Sequence, residues 1–183
     1  MSHQHADPVL IVVTGIQAAG KSTVARLLAA RFAWGVHIEA DALQRMIVSG
    51  GVWVGDPGPP SAEAARQLHL RLHNMCLLGK SFFDAGFSVV LDDIIIGERW
   101  AQMQEALQGY PFSLVVLAPQ SDAVLQRDAQ RGKAPLGAGW ADYLDGELRM
   151  TMTEVGVWID SSNQTAAETV EVILAHCGQP GRG

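Results

Sequence analysis

The eight residues from Gly15 to Ser22, GIQAAGKS, constrain the fold of this chain more than any other segment. They match the spacing GxxxxGK[ST], which is typical of loops that bind phosphate groups. The apolar run from Val9 to Thr14 precedes them and predicts a short strand buried on both faces. Val24 to Phe32 follows, with apolar residues at three- and four-residue spacing that predict a helix. A phosphate-binding loop between a strand and a helix favours an α/β fold.

Each position of this loop has a physical role. Gly15 and Gly20 permit backbone angles and close approaches that a side chain would block. Amides at the start of the helix can turn toward phosphate oxygens, Lys21 can supply a cation, and the Ser22 hydroxyl can reach Mg²⁺. An ordinary glycine-rich turn is the alternative, which the flanking strand and helix disfavour. The predicted nucleotide-binding residues are Gly15, Ala18, Ala19, Gly20, Lys21, Ser22 and Thr23.

Strands and helices alternate through the rest of the chain. Apolar runs predict further strands at Gly35 to Glu39, Phe87 to Leu91, Phe112 to Leu117 and Val155 to Ile159. Helical patterns lie between them, at Asp41 to Val48, Ser61 to Ala85, Glu98 to Gln108, Ser121 to Arg131, Trp140 to Met152 and Thr165 to Cys177. This alternation predicts a parallel sheet covered on both sides by helices. We expect one domain over residues 1–183, with residues 1–8 as a frayed tail.

Composition excludes several classes of function. The net charge of −6 argues against broad affinity for nucleic acids. No run approaches the eighteen apolar residues that a membrane span needs, so we expect no membrane partner. Cys76 and Cys177 stand far apart among apolar residues, and we interpret them as free thiols in a reducing cytoplasm.

Acidic residues follow two of the predicted strands. Asp92 and Asp93 come directly after Ser88 to Leu91, which suits a carboxylate that holds Mg²⁺ through water. Asp92 is the first candidate and Asp93 the second. Asp41 follows the second strand and could accept the proton of an attacking hydroxyl group. Capping of the next turn or helix is the structural alternative for these residues, and Glu39 is expected on the opposite side of its strand.

Three basic residues cluster before a glycine-rich break. Arg127, Arg131 and Lys133 fall within seven residues in a chain that has 13 lysines and arginines. Arg127 and Arg131 share a helical face because they are four residues apart. We predict that a lid over about residues 127–150 brings these charges to the phosphates during transfer. A solvated helix face is the alternative.

Taken together, these motifs resemble those of small-molecule kinases with a P-loop, and among them the chloramphenicol phosphotransferase-like group. The resemblance covers most of the chain: the phosphate loop, Asp41 to Met46, Gly50 to Trp53, Leu91 to Ile94, Glu98 to Trp100 and Arg127 to Lys133. It implies ATP- and Mg²⁺-dependent transfer of a γ-phosphoryl group to a hydroxyl, with Asp41 as the base. It also implies a three-layer fold with five parallel strands in the order 2-3-1-4-5.

The leading hypothesis is a kinase for a small hydroxylated molecule such as an antibiotic, a nucleoside or a sugar. A polynucleotide 5′-hydroxyl kinase also fits an aspartate after the second strand, but the acidic net charge counts against it. A regulatory ATPase with no phosphate acceptor is the alternative from another class.

Overall fold

A parallel β-sheet forms the centre of the computed structural model, which describes residues 7–130 and 138–177. Its strands are β1 (Leu10–Gly15), β2 (Gly35–Glu39), β3 (Ser88–Asp92), β4 (Ser113–Leu117) and β5 (Val157–Ile159). They lie side by side in the order β2-β3-β1-β4-β5. The predicted fold class and strand order are therefore confirmed.

Helices cover both faces of this sheet. They are α1 (Lys21–Ala29), α2 (Ala40–Arg45), α3 (Ala62–Asp84), α4 (Glu98–Ala106), α5 (Ser121–Gln130), α6 (Ala138–Met152) and α7 (Ala166–Cys177). Helix α1 packs against α7, and α3 packs against α4, while α1 and α3 both contact β3. This arrangement gives the three layers that alternating strands and helices favour.

The core follows from the position of β1 between β3 and β4. Every residue of β1 is buried, as is every residue of β3. A strand with neighbours on both sides and helices on both faces is shielded from water, so its sequence is a continuous apolar run. Because β1 is the middle strand, the loop that follows it lies at the middle of the sheet edge.

Several element boundaries differ from those predicted by a few residues, and two of these differences have a clear local cause. Helix α1 begins at Lys21, three residues earlier than its apolar pattern, because Gly20 takes the left-handed conformation before it, with φ +93°. Strand β5 begins at Val157 because Gly156 has φ +75°. A Cβ atom at Gly156 would lie 2.7 Å from the carbonyl oxygen of Leu114. The extended conformation predicted from Val155 is interrupted there.

Local capping interactions define the ends of two helices. The Ser61 hydroxyl accepts a hydrogen bond of 3.2 Å from the amide of Ala64 at the start of α3. Gly86 has φ +88° just after the end of that helix. Thr165 and Glu168 form a reciprocal capping pair before α7.

Replacing the α3 cap should have a modest, measurable cost. Ser61→Ala leaves the Ala64 amide without its side-chain acceptor, so the free energy of unfolding should fall by about 1 kcal/mol. Urea denaturation followed by circular dichroism would measure the difference. Ser61→Asn retains a capping oxygen and is the matched control. Equal losses in the two variants would contradict a capping role for the hydroxyl.

The cysteines form no disulfide. Cys76 is buried and Cys177 is partly exposed, and both are free. Burial raises the pKa of the Cys76 thiol to about 12, which keeps it protonated at neutral pH. Within the described part of the chain, no helix is both long and apolar enough to cross a membrane.

Candidate active site

The phosphate loop connects β1 to α1 with a strained backbone. Gly15 has φ +146°, Gly20 has φ +93° and Ala18, which carries a side chain, has φ +59°. A Cβ atom at Gly15 would lie 2.4 Å from the carbonyl oxygen of Leu117 in β4. Only glycine permits that approach, so the start of the loop is fixed against the neighbouring strand. The Lys21 ammonium donates a hydrogen bond of 3.0 Å to the carbonyl of Ile16 inside the loop.

A hydroxyl and a carboxylate meet beside this loop. The Ser22 hydroxyl at the start of α1 donates a hydrogen bond of 3.3 Å to Oδ1 of Asp92, the last residue of β3. The other carboxylate oxygen of Asp92 lies 2.6 Å from Nε2 of His37 in β2. Both Ser22 and Asp92 offer oxygen atoms, which are the ligands that Mg²⁺ prefers. The residues therefore fit a magnesium ion at the predicted position.

Asp93 points into a different environment. Its Oδ1 accepts hydrogen bonds from Arg71 Nη2 at 2.7 Å and from the Ile94 amide at 2.8 Å. Its Oδ2 accepts one from Arg99. Burial lowers the pKa of Arg99, and the charge of Asp93 opposes that effect. Adjacent residues at a strand end face opposite ways, so Asp93 neutralises two buried arginines while Asp92 faces Ser22.

Asp41 lies in the first turn of α2 and does not cap it. The cap position belongs to Glu39, which makes no capping hydrogen bond through its side chain. The interpretation of Asp41 as an N-cap is therefore wrong. Its carboxylate is about half exposed, at 49%, and Oδ1 accepts a hydrogen bond of 3.3 Å from Arg71 Nη1. Arg71 thus connects Asp41 to Asp93.

Glu39 was expected on the other side of its strand, and that expectation is wrong. Its side chain lines the same cavity as Asp41 and lies 3.5 Å from Nη2 of Arg45. The strand ends at Glu39 and α2 begins at the next residue. Side chains alternate along a strand, so residues two apart lie on the same side, and strand geometry itself favours one side for Glu39 and Asp41.

One large cavity, with a volume of about 1080 Å³, connects most of these groups. Residues of the phosphate loop, Asp92 and Asp41 all line it. The cavity lies beyond the carboxyl ends of the parallel strands, where open α/β sheets bind their ligands. Trp53, in the glycine- and proline-rich segment after α2, also lines it and is 53% exposed.

Arg127 reaches the phosphate loop from α5. Its Nη2 donates a hydrogen bond of 2.6 Å to the carbonyl of Ser161, and its Nη1 lies 3.4 Å from the carbonyl of Ala19. The predicted catalytic residue Arg131, and Lys133 with it, lie outside the described residues. Of the basic cluster, the structure therefore brings Arg127 to the cavity wall beside the loop.

Helix α6 contacts the segment that follows α2. The Trp140 indole donates a hydrogen bond of 3.2 Å to the carbonyl of Gly55. Its ring packs edge-on against Tyr143, at 5.7 Å between centroids, and both residues line the cavity. Part of the predicted lid region thus lies against the Trp53 side of the cavity.

Several polar residues in or beside the cavity were missed by the sequence analysis. Arg71 stands beside Leu72 in the apolar stripe of α3, yet only 8% of Arg71 is exposed. A charged residue next to such a stripe was the available signal for a buried ion pair. His37, Gln44 and Gln67 gave no signal, because their partners are far away in the sequence or are backbone atoms.

Comparison with known proteins assigns a family to this arrangement. A family model described as "AAA domain" matches residues 10–143, which is well over half of the chain. The chain belongs to the AAA domain family. The matched part of this AAA domain protein contains the phosphate loop, Asp41, Asp92 and Arg127. A comparison with curated protein sequences gives no match.

Solved structures share the whole fold of this AAA domain protein at low sequence identity. A sugar kinase from Janibacter sp. HTCC2649 has 17% identity and a TM-score of 0.68, covering 92% of this chain and 93% of its own. The tunicamycin resistance protein of Deinococcus radiodurans has 20% identity and a TM-score of 0.69, with coverages of 94% and 96%. A gluconokinase from Sinorhizobium meliloti 1021 has 22% identity and a TM-score of 0.62, with coverages of 92% and 91%. These similarities show a P-loop kinase fold.

Proposed function

We propose that this protein transfers the γ-phosphoryl group of ATP to a hydroxyl group of a small molecule, in the cytoplasm and with Mg²⁺ as cofactor. The observation that carries the proposal is that a phosphate-binding loop and the exposed carboxylate of Asp41 line the same cavity. A loop of this kind holds the donor phosphates, and a carboxylate across the cavity suits an alcohol acceptor.

In the proposed reaction, the acceptor oxygen attacks the γ-phosphorus and forms the new P–O bond. The bond between the γ-phosphorus and the bridging β,γ-oxygen breaks, and ADP leaves with its electron pair. The hydroxyl proton passes to a carboxylate oxygen of Asp41. The hydrogen bond from Arg71 to Oδ1 leaves Oδ2 as the oxygen for that proton. Lys21 and the loop amides stabilise charge on the phosphate oxygens.

Ser22 and Asp92 are the residues we assign to Mg²⁺, Ser22 directly and Asp92 through water. When bound, the ion offsets the negative charge of the phosphate oxygens. The carboxylate oxygens of Asp93 already accept hydrogen bonds from Arg71, Arg99 and a backbone amide, which supports Asp92 over Asp93 for this role.

Arg127 is proposed to neutralise charge on the transferred group, and residues 127–150 to act as a lid together with Arg131. Contact between the Arg127 side chain and the loop carbonyl of Ala19 supports its position near the phosphates. Two of the motifs shared with chloramphenicol phosphotransferase-like proteins are Leu91 to Ile94 and Glu98 to Trp100. The Asp93–Arg99 ion pair joins them, which supports this narrower resemblance. The sugar kinase and gluconokinase titles of similar structures agree with a small hydroxylated acceptor.

Acceptor dependence tests the proposal. ATP consumption would be measured with Mg²⁺, with and without a panel of sugars, polyols, hydroxy acids, nucleosides, chloramphenicol and a 5′-hydroxyl oligonucleotide. We expect ADP formation to rise with at least one small molecule, whose mass increases by one phosphoryl group. Phosphorylation of the oligonucleotide alone would identify a polynucleotide kinase. ATP hydrolysis that no acceptor changes would favour a regulatory ATPase, and absence of MgATP binding by calorimetry would contradict both.

A further inference from the structure

Two glutamines form a buried polar pair beside the proposed acceptor end of the cavity. Gln44 in α2 and Gln67 in α3 are 4% and 3% exposed. Gln67 Oε1 accepts a hydrogen bond of 2.8 Å from the Val52 amide, and its Nε2 donates one of 2.8 Å to the carbonyl of Gly50. This pairing fixes which end of the Gln67 amide is oxygen, because the backbone supplies one donor and one acceptor.

The orientation of Gln67 in turn fixes that of Gln44. Gln44 Nε2 donates to Gln67 Oε1 at 3.1 Å and to the Val52 carbonyl at 3.2 Å. Rotation of the Gln44 amide by half a turn would set its oxygen against these two oxygens. The two donors of the Gln44 side chain are therefore both used, and its oxygen must face elsewhere.

That oxygen, Gln44 Oε1, is buried and has no hydrogen-bond partner in the described part of the chain. Buried amide oxygens are almost always hydrogen-bonded, so an exception calls for a donor from outside the protein. Gln44 lines the cavity, and it stands three residues after Asp41 on the same face of α2. A donor supplied to Gln44 would thus come from the molecule that Asp41 activates.

The cations at this end of the cavity are already neutralised. Arg71 pairs with Asp41 and Asp93, and Arg99 pairs with Asp93. Arg45 pairs with Glu39. Glu98 also lines the cavity and adds another negative charge. A carboxylate or phosphate on the acceptor would meet this acidic wall without a spare arginine to bind it.

The two buried arginines also leave donors unused. Nε of Arg71 and Nε of Arg99 have no hydrogen-bond partner among the described residues, and both side chains line the cavity. These residues thus leave one acceptor, Gln44 Oε1, and two N–H donors without hydrogen-bond partners. The positive charges of the two arginines are already balanced by Asp41 and Asp93. Hydroxyl groups both donate and accept, so a compound with several of them complements this set.

We propose that Gln44 is a specificity residue of the acceptor site, which takes an uncharged compound with several hydroxyl groups. One hydroxyl is phosphorylated beside Asp41, and a second donates a hydrogen bond to Gln44 Oε1. This inference rests on the proposed kinase function and adds the chemical class of its acceptor. Gln67 is the positioning residue that orients the Gln44 amide and holds Gly50 and Val52.

The first test uses the unmodified chain and matched pairs of neutral and acidic compounds: glycerol and glycerate, glucose and gluconate, galactose and galacturonate. Phosphoryl transfer from labelled ATP would be measured at equal concentrations. We expect a neutral member to be phosphorylated about tenfold or more faster than its acid. Preference for the acids would overturn the inference while leaving the kinase function intact. Transfer to none of the six also overturns it, and the wider panel above then decides whether the kinase function fails too.

The second test separates recognition of the acceptor by Gln44 from support of the segment that contains Gly50 and Val52. With the preferred neutral compound, Gln44→Met should raise the acceptor KM about tenfold and leave the KM for ATP within about twofold. With the deoxy analogue that lacks the donating hydroxyl, this KM increase should disappear. Gln67→Met is the comparison variant, because it removes the contacts to Gly50 and Val52 as well as the orientation of Gln44, so it should raise the KM for the deoxy analogue too. An equal KM increase for every analogue with Gln44→Met would overturn the assignment.

Discussion

Asp41→Asn should lower the rate of phosphoryl transfer by about two orders of magnitude or more. The amide keeps the size of the carboxylate and can still contact Arg71, but it cannot accept the proton of the attacking hydroxyl. Asp41 lines the same cavity but is not part of the phosphate loop, so MgATP affinity should stay unchanged. Single-turnover transfer to the best acceptor, together with calorimetric titration of MgATP, would measure both quantities.

Lys21→Ala provides the contrast for that experiment. Lys21 belongs to the phosphate loop, so its removal should weaken transfer with every acceptor through lost charge stabilisation. Transfer by Asp41→Asn at close to the original rate would reduce Asp41 to a structural residue of α2.

Asp93→Asn should strongly destabilise the fold. Only 2% of the Asp93 side chain is exposed, and its carboxylate pairs with Arg71 and Arg99. Loss of its negative charge leaves the positive charges of two buried guanidinium groups without the carboxylate that neutralises them. The free energy of unfolding should therefore fall by about 3–5 kcal/mol. Guanidinium chloride denaturation followed by circular dichroism would measure the loss.

An exposed ion pair gives the matched control for this prediction. Arg31, two residues beyond the end of α1, pairs with Glu171 in α7, and the Glu171 side chain is 62% exposed. Glu171→Gln should change the free energy of unfolding by no more than about 1 kcal/mol, because water screens an exposed pair. Similar losses for Asp93→Asn and Glu171→Gln would show that the buried arginines do not depend on Asp93.

Features encoded within short segments could be predicted from the sequence. The phosphate loop, the cap at Ser61 and the alternation of strands with helices depend on neighbouring residues. The carboxylates of Asp41 and Asp92 could be placed at the same edge of the sheet, because parallel strands end there together. The strand order followed from a family resemblance, since local patterns do not define which strands pair.

Features that depend on distant partners could not be predicted in the same way. Asp92 and Asp93 are equivalent in the sequence, and only the packing of β3 beside β1 decides which of them faces Ser22. The pairing of Arg71 with Asp93 joins α3 to a strand end through side chains alone. The Gln44–Gln67 pair depends on the path of the segment between α2 and α3, whose glycines and prolines follow few spacing rules.

The close contact between Gly15 and the Leu117 carbonyl has a consequence for biosynthesis. The strand against which the first glycine of the GIQAAGKS motif rests is synthesised about a hundred residues after the motif. A nascent chain that stops short of β4 carries the complete motif without the surface that shapes it. We therefore expect the proposed nucleotide binding to be acquired only after both neighbours of β1 have been synthesised.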